Sequence, residues 1–257
     1  MDSKKFYAHI EQMPLDDFLE WFKDKTESAW ADIQTNSLAD FKARGVGGTQ
    51  WRPNTKWLTG MTPKEIDSAE KKWNILFPPD YRRFLELLGA PDQNMQRAHW
   101  TDEGMIFSDA PSFFNWNQDD SFIEDALAWP LEELLFDVQN DLWFNGWGKR
   151  PSNQEDQFET VRSLVKNAPP LIPIIGHRYL LGKPTQVNNP IFSVYQSDII
   201  IYGMNLKKFL LVEFAQLLAI NHEQAYVNAV SDYSREDILS IPFWGELIEE
   251  NPVDYEE

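Results

Sequence analysis

Residues 61 to 89, MTPKEIDSAEKKWNILFPPDYRRFLELLG, constrain the fold more than any other stretch, because they encode two short helices whose ends are already specified. Thr62 precedes Pro63 and stands three residues before Glu65, the spacing of a capping box that satisfies two orphan amide donors reciprocally. Met61 and Ile66 occupy the positions of the accompanying hydrophobic staple. Pro78-Pro79 ends the approach to a second helix. There Tyr81, Phe84, Leu85 and Leu88 recur at i, i+3, i+4 and i+7, and Gly89 followed by Pro91 stops it. The result is a helix-loop-helix that buries one face and carries no group arranged for chemistry.

Upstream, residues 4 to 42 read as one or two helices, with Phe6, Ile10, Met13, Phe18, Trp21 and Phe22 apolar and Pro14 breaking the run. The turn-rich RGVGGTQWRPNTKW (44 to 57) joins this helical lead to the main domain. Downstream, residues 92 to 118 suggest loops and short strands, with MIF (105 to 107) and SFFNW (112 to 116) as apolar pieces. Residues 122 to 144 are partly helical, with Leu131, Leu134, Leu135 and Val138 at helical spacing after Pro130, and 158 to 168 form a helix stopped by Pro169-Pro170. Strand signals then crowd together in LIPII (171 to 175), YLL (179 to 181), IFSVYQ (191 to 196) and DIIIYG (198 to 203), the pattern of an antiparallel meander. Asn205 caps a closing helix striped by Leu206, Phe209, Leu210, Phe214 and Leu217. Strands flanked by helices without βαβ alternation predict an α+β fold, a mainly antiparallel sheet packed against several helices with an N-terminal helical extension.

The order Thr-Pro-x-Glu-Ile, then Phe-Pro-Pro-Asp-Tyr, then Phe-Leu-x-Leu-Leu-Gly, read from residue 62, resembles the opening signature of the SUKH superfamily of fungal cell-wall synthesis regulators and bacterial toxin-immunity proteins. Residues 171 to 214 look like the later strands and closing helix of the same domain. The resemblance covers residues 55 to 220, leaving 1 to 50 as an N-terminal helical extension and 221 to 257 as an acidic C-terminal extension packed on or trailing the domain. It implies a protein-binding domain with no catalytic set: an immunity-type inhibitor of a toxin, or a regulatory scaffold.

With 42% hydrophobic residues and eleven Trp, the 257-residue chain can bury a sizeable core. It has no cysteine, which excludes disulfides, thiolate zinc sites and a Cys nucleophile. No apolar run approaches the roughly 18 residues of a membrane span, and MDSKKFYAHIEQM lacks the apolar core of a signal peptide, so a cytoplasmic protein is expected. The formal charge of -18 is uneven: from Ala98 to Gly148 there are eleven Asp or Glu and no Lys or Arg, with five Trp and six Phe. Such a surface disfavours nucleic acid and anionic membrane and steers basic partners toward it.

Sites for chemistry are absent at the level of spacing. His9, His99, His177 and His222 are scattered, and His222-Glu223 lacks the second His of a zinc-protease helix, so no metal is expected. The run Asn115, Asn117, Asp119, Asp120 departs from a calcium loop at Asp120, where Gly is required, and at Ala126, where the bidentate Glu belongs. Gly45, Gly47 and Gly48 follow a helix instead of a strand, and no Lys-Ser/Thr closes a phosphate loop, so no nucleotide cofactor is expected. No nucleophile elbow occurs either, and the chain reads as a non-enzyme.

Two places remain as candidate contacts for a basic protein partner such as a toxin domain. One is the acidic belt, with Asp102, Glu103, Asp119, Asp120, Glu124 and Asp125 facing solvent and Trp116 as an anchor. The other is His177-Arg178-Tyr179 between strand signals, whose structural reading is a packed Tyr body with Arg or His paired to a carboxylate. The tryptophans also admit a different class, a glycan or small-ligand binder.

Overall fold

The computed structural model describes residues 3–33, 49–101, 104–110, 112–183, 185–231 and 234–250. Pro14 divides the N-terminal lead into α1 (Ser3–Gln12) and α2 (Leu15–Ala31), as its fixed φ and missing donor require. Phe18, Phe22 and Trp30 lie on one stripe of α2 and are fully buried. Thr26, on the same stripe, donates to Phe22 O at 2.8 Å and accepts from the Trp57 indole at 2.9 Å, so this buried hydroxyl is fully satisfied. Residues 34–48, including the start of the predicted link and its three glycines, lie outside the described residues.

The predicted helix pair is α3 (Pro63–Trp73) and α4 (Pro79–Leu87). Its capping box is formed: Thr62 Oγ1 accepts from Glu65 N at 3.3 Å and Glu65 Oε2 from Thr62 N at 2.7 Å. Asn74 ends α3 in the left-handed region at φ 53°. Buried Glu70 joins the two helices, accepting from Phe77 N at 2.8 Å and from Arg82 Nη1 at 2.6 Å. Gly60 is obligatory, because a Cβ there would lie 1.8 Å from the Glu86 carbonyl oxygen.

Two antiparallel sheets complete the framework, where a single one was expected. Short β1 (Thr49–Gln50) pairs with β2 (Met95–Thr101), which forms a hairpin with β3 (Gly104–Ala110), in the order β1-β2-β3. MIF lies in β3, but SFFNW adds no strand; Phe113 makes one isolated bridge to Ile175. After α5 (Asp120–Gln139), a short 3-10 turn (Asn145–Trp147) and α6 (Gln154–Asn167), the predicted meander forms the second sheet. It comprises β4 (Leu171–Ile175), β5 (Arg178–Leu181), β6 (Ile191–Tyr195) and β7 (Asp198–Gly203), in sequence order. Asn205 caps α7 (Leu206–Glu213) through its side chain to Lys208 N at 3.0 Å. The helix ends before Phe214 and Leu217, shorter than its apolar stripe, though Phe214 is still buried. Then come α8 (His222–Val230), α9 (Arg235–Leu239) and α10 (Trp244–Glu250).

The four-stranded sheet is covered on both faces. Ile172, Ile174, Leu180 and Ile191 face one core, built with α2, α3, α4 and α7. Tyr179, Leu181, Phe192, Val194 and Ile199 face a second, built with α5, α6 and α10. All five residues of β4 are therefore buried, which is why its sequence runs apolar instead of alternating. The two extensions are part of these cores: α2 supplies Phe18, Leu19, Phe22 and Trp30 to the first, and Ile241, Trp244 and Leu247 belong to the second. Among the described residues no helix is long and apolar enough to cross a membrane.

Candidate protein interface

The acidic belt changes when its neighbours in space are included. Asp102 and Glu103 lie outside the described residues. Asp119 is turned inward: its Oδ2 accepts from Asn115 N at 2.8 Å, closing the loop that launches α5. Asp120 pairs with Lys72, Asp109 with Arg52, and Asp141 with Arg150 at 3.2 Å. Asp137 accepts from Ser197 N at 2.8 Å. The expectation of eleven carboxylates without compensation is thus corrected: cations from outside the stretch neutralise three, and two more cap backbone amides. What remains lies on α5: Glu124, Asp125 and Glu132 are exposed, Glu133 is half-buried, and no ion pair reaches them among the described residues, with Asp125 and Glu132, seven apart, forming a row on the outer side.

Trp116 is not available as an anchor. It is 2% exposed, packs on Phe77 with ring centroids 4.8 Å apart, and donates its indole N–H to Tyr81 Oη at 2.9 Å. A large aromatic with one polar handle is better buried where the handle finds an acceptor. The apolar groups exposed beside the acidic row are instead Phe122 and Phe136, which sequence reasoning missed. Their spacing was a usable signal: they stand fourteen residues apart, with Trp129 midway.

The second candidate separates into two unlike parts, since neighbours on a strand point to opposite faces. His177, exposed beside the φ +52° turn at Gly176, and Arg178, half-buried, come together. The Arg178 guanidinium lies 3.7 Å from the Tyr202 ring centroid, its Nε reaches Glu213 Oε2 at 3.3 Å, and its Nη1 donates to His177 Nε2 at 2.5 Å. Desolvation first, and the guanidinium charge second, hold the imidazole pKa down to about 4, so this nitrogen is an acceptor. The cluster is an internally satisfied brace between β5, β7 and α7.

Tyr179 points the other way and is 1% exposed. Its hydroxyl donates to Ala126 O at 2.9 Å. That carbonyl lies four residues before Pro130, so it is the one whose helical donor proline removes. Tyr179 replaces the missing bond, and α5 continues through Pro130, so the helical part of 122 to 144 includes the residues before the proline as well as those after it. Its role is structural.

Among the described residues no three His, Asp or Glu side chains converge to hold a metal ion. A cleft of about 660 Å³ between α1 and α8 is lined by Tyr7, Ala8, Gln224, Val227 and Asn228, with no tryptophan. Comparison of the chain with protein-family models, curated proteins and solved structures finds no match.

Proposed function

We propose that this chain is a non-enzymatic protein-binding module of the immunity type, which occludes a basic protein partner such as a toxin domain. The observation that carries the reading is the outer side of α5, where Asp125 and Glu132 lie beside half-exposed phenylalanine rings and, among the described residues, no ion pair reaches them. Uncompensated carboxylates on a rigid helix raise the encounter rate with a cation-rich surface, and adjacent aromatic area supplies contacts that slow dissociation. The residues that resemble the SUKH signature supply the class of partner.

The test is association with the toxin-domain product of a neighbouring gene, followed in real time. The on-rate should fall as salt shortens the Debye length from about 10 Å at 0.1 M to about 3 Å at 1 M. Joint reversal of Asp125 and Glu132 to Lys should slow it further. An on-rate indifferent to both salt and the reversals would sink the reading.

A further inference from the structure

We infer that α5 carries a docking ridge for a helix of the partner, and that this helix is basic with an apolar residue at every seventh position. The inference rests on the proposed protein-binding reading and names the element that the partner contributes.

Phe122, Trp129 and Phe136 stand at i, i+7 and i+14 on α5. Seven residues of a straight helix fall about 20° short of two turns, so the three rings lie within about 40° of one another around the axis. At 1.5 Å per residue they span about 21 Å, about four turns of an opposing helix. Phe122 is 49% exposed and Phe136 51% exposed, while Trp129 is half-buried against the second core. The stripe therefore stands beside the face that α5 buries through Ile123, Ala126, Pro130, Leu134 and Val138, not on it.

The charges around the stripe select the occupant. Asp125 and Glu132, also seven apart, run along its outer flank, and Glu133 lies on its inner flank. Burial raises the Glu133 carboxyl above the usual carboxylate range, with Asp137 adding to the effect. α5 contains six carboxylates and no Lys or Arg, and Lys72 reaches only Asp120 at its first turn. A second copy of this chain would bring like charge against like charge. An apolar seam flanked by carboxylates instead complements a seam flanked by ammonium or guanidinium groups, the arrangement by which helices choose partners through flanking charges.

The probes are two labelled peptides of identical composition, each about six turns long if helical, so that the ridge is overlapped at both ends. One has Leu every seventh residue among Lys and Ala; the other is its scrambled isomer. The full chain should bind the first more tightly than the second at low salt. Joint Phe122→Ala and Phe136→Ala substitution should weaken the first complex about tenfold or more, the usual loss when central aromatic anchors are removed. Joint Val227→Ala and Leu239→Ala substitution, at exposed apolar residues elsewhere, should change it less than about twofold. All four positions are exposed, so folding is retained, and cooperative thermal unfolding verifies it.

Equal, salt-sensitive binding of both peptides that ignores the Phe substitutions would overturn the ridge and leave the basic-partner reading standing. If neither peptide binds at low salt, both fall.

Discussion

Tyr179 shows how a residue that looks like a site can be explained by a bond missing elsewhere. Its hydroxyl donates to the one carbonyl in α5 that Pro130 cannot serve, 53 residues away in sequence. Tyr179→Phe keeps the ring and strands that carbonyl, so it should cost about 1–3 kcal/mol in denaturant unfolding, the range for a buried polar group left unpaired. Pro130→Ala restores the helical N–H, and in that background Tyr179→Phe should cost distinctly less. Additive costs in this double-mutant cycle would refute the account. His177 makes a separate, pH-dependent prediction. Its folded pKa of about 4 lies below the ordinary value near 6.5, so between those values the unfolded chain binds the extra proton. Folding stability should therefore fall as pH drops through that window. Carboxylates titrate there too, so the decisive quantity is the difference between the parent and His177→Asn, which should have a flatter profile. Parallel profiles would mean that the imidazole is not held neutral.

Elements whose signals are local were legible in the sequence, and those stabilised from a distance were not. The box around Thr62 and Glu65 and the cap at Asn205 are formed by residues within one turn of one another, and each helix starts where its cap directs; the equally local cap at Asn153 was overlooked, so α6 starts at Gln154, four residues before the expected 158. The continuity of α5 and the pairing of β1 with β2 depend on partners about fifty residues distant in sequence, beyond the reach of any periodicity. The same limit hid the neutralisation of the acidic belt, since Arg52 and Lys72 lie far upstream of Asp109 and Asp120. Lys207 belongs with these distant ties. From the first turn of α7 it donates to three carbonyls at the end of α1, Ile10 O at 3.1 Å, Glu11 O at 2.9 Å and Met13 O at 2.9 Å. An ammonium with three donors facing the negative end of a helix uses its whole capacity there. Lys207→Met should leave those carbonyls to solvent and loosen α1, so amide exchange in Ser3–Gln12 should accelerate while α4 and β4 to β7 stay protected. Equal acceleration everywhere would show a global loss of stability; no change would show that packing alone holds α1.

For the molecule as a whole, the resemblance drew a domain from residue 55 to 220 with two extensions, but the cores do not divide there. Phe22 of α2 meets Phe214 beyond α7 with ring centroids 4.8 Å apart and Trp57 at 5.9 Å, and the Trp57 indole depends on Thr26 for its acceptor. At the other end, Trp244 donates to Pro169 O at 2.8 Å, and Leu247 is fully buried in the second core. A sheet buried on both faces needs both covers, because removing either exposes a continuous apolar surface that water penalises by about 25 cal/mol per Å². A 55–220 fragment loses part of each cover and should lack a cooperative transition, aggregating or unfolding with a shallow denaturant dependence, whereas the full chain should unfold in one step with the steep slope expected from its buried area. Adding back residues 1–54 should restore the first cover but not the second, so both additions are needed for full stability. If the 55–220 fragment unfolds cooperatively with a slope proportionate to its length, the terminal helices are dispensable cladding and the interface on α5 has to be considered on that smaller body alone.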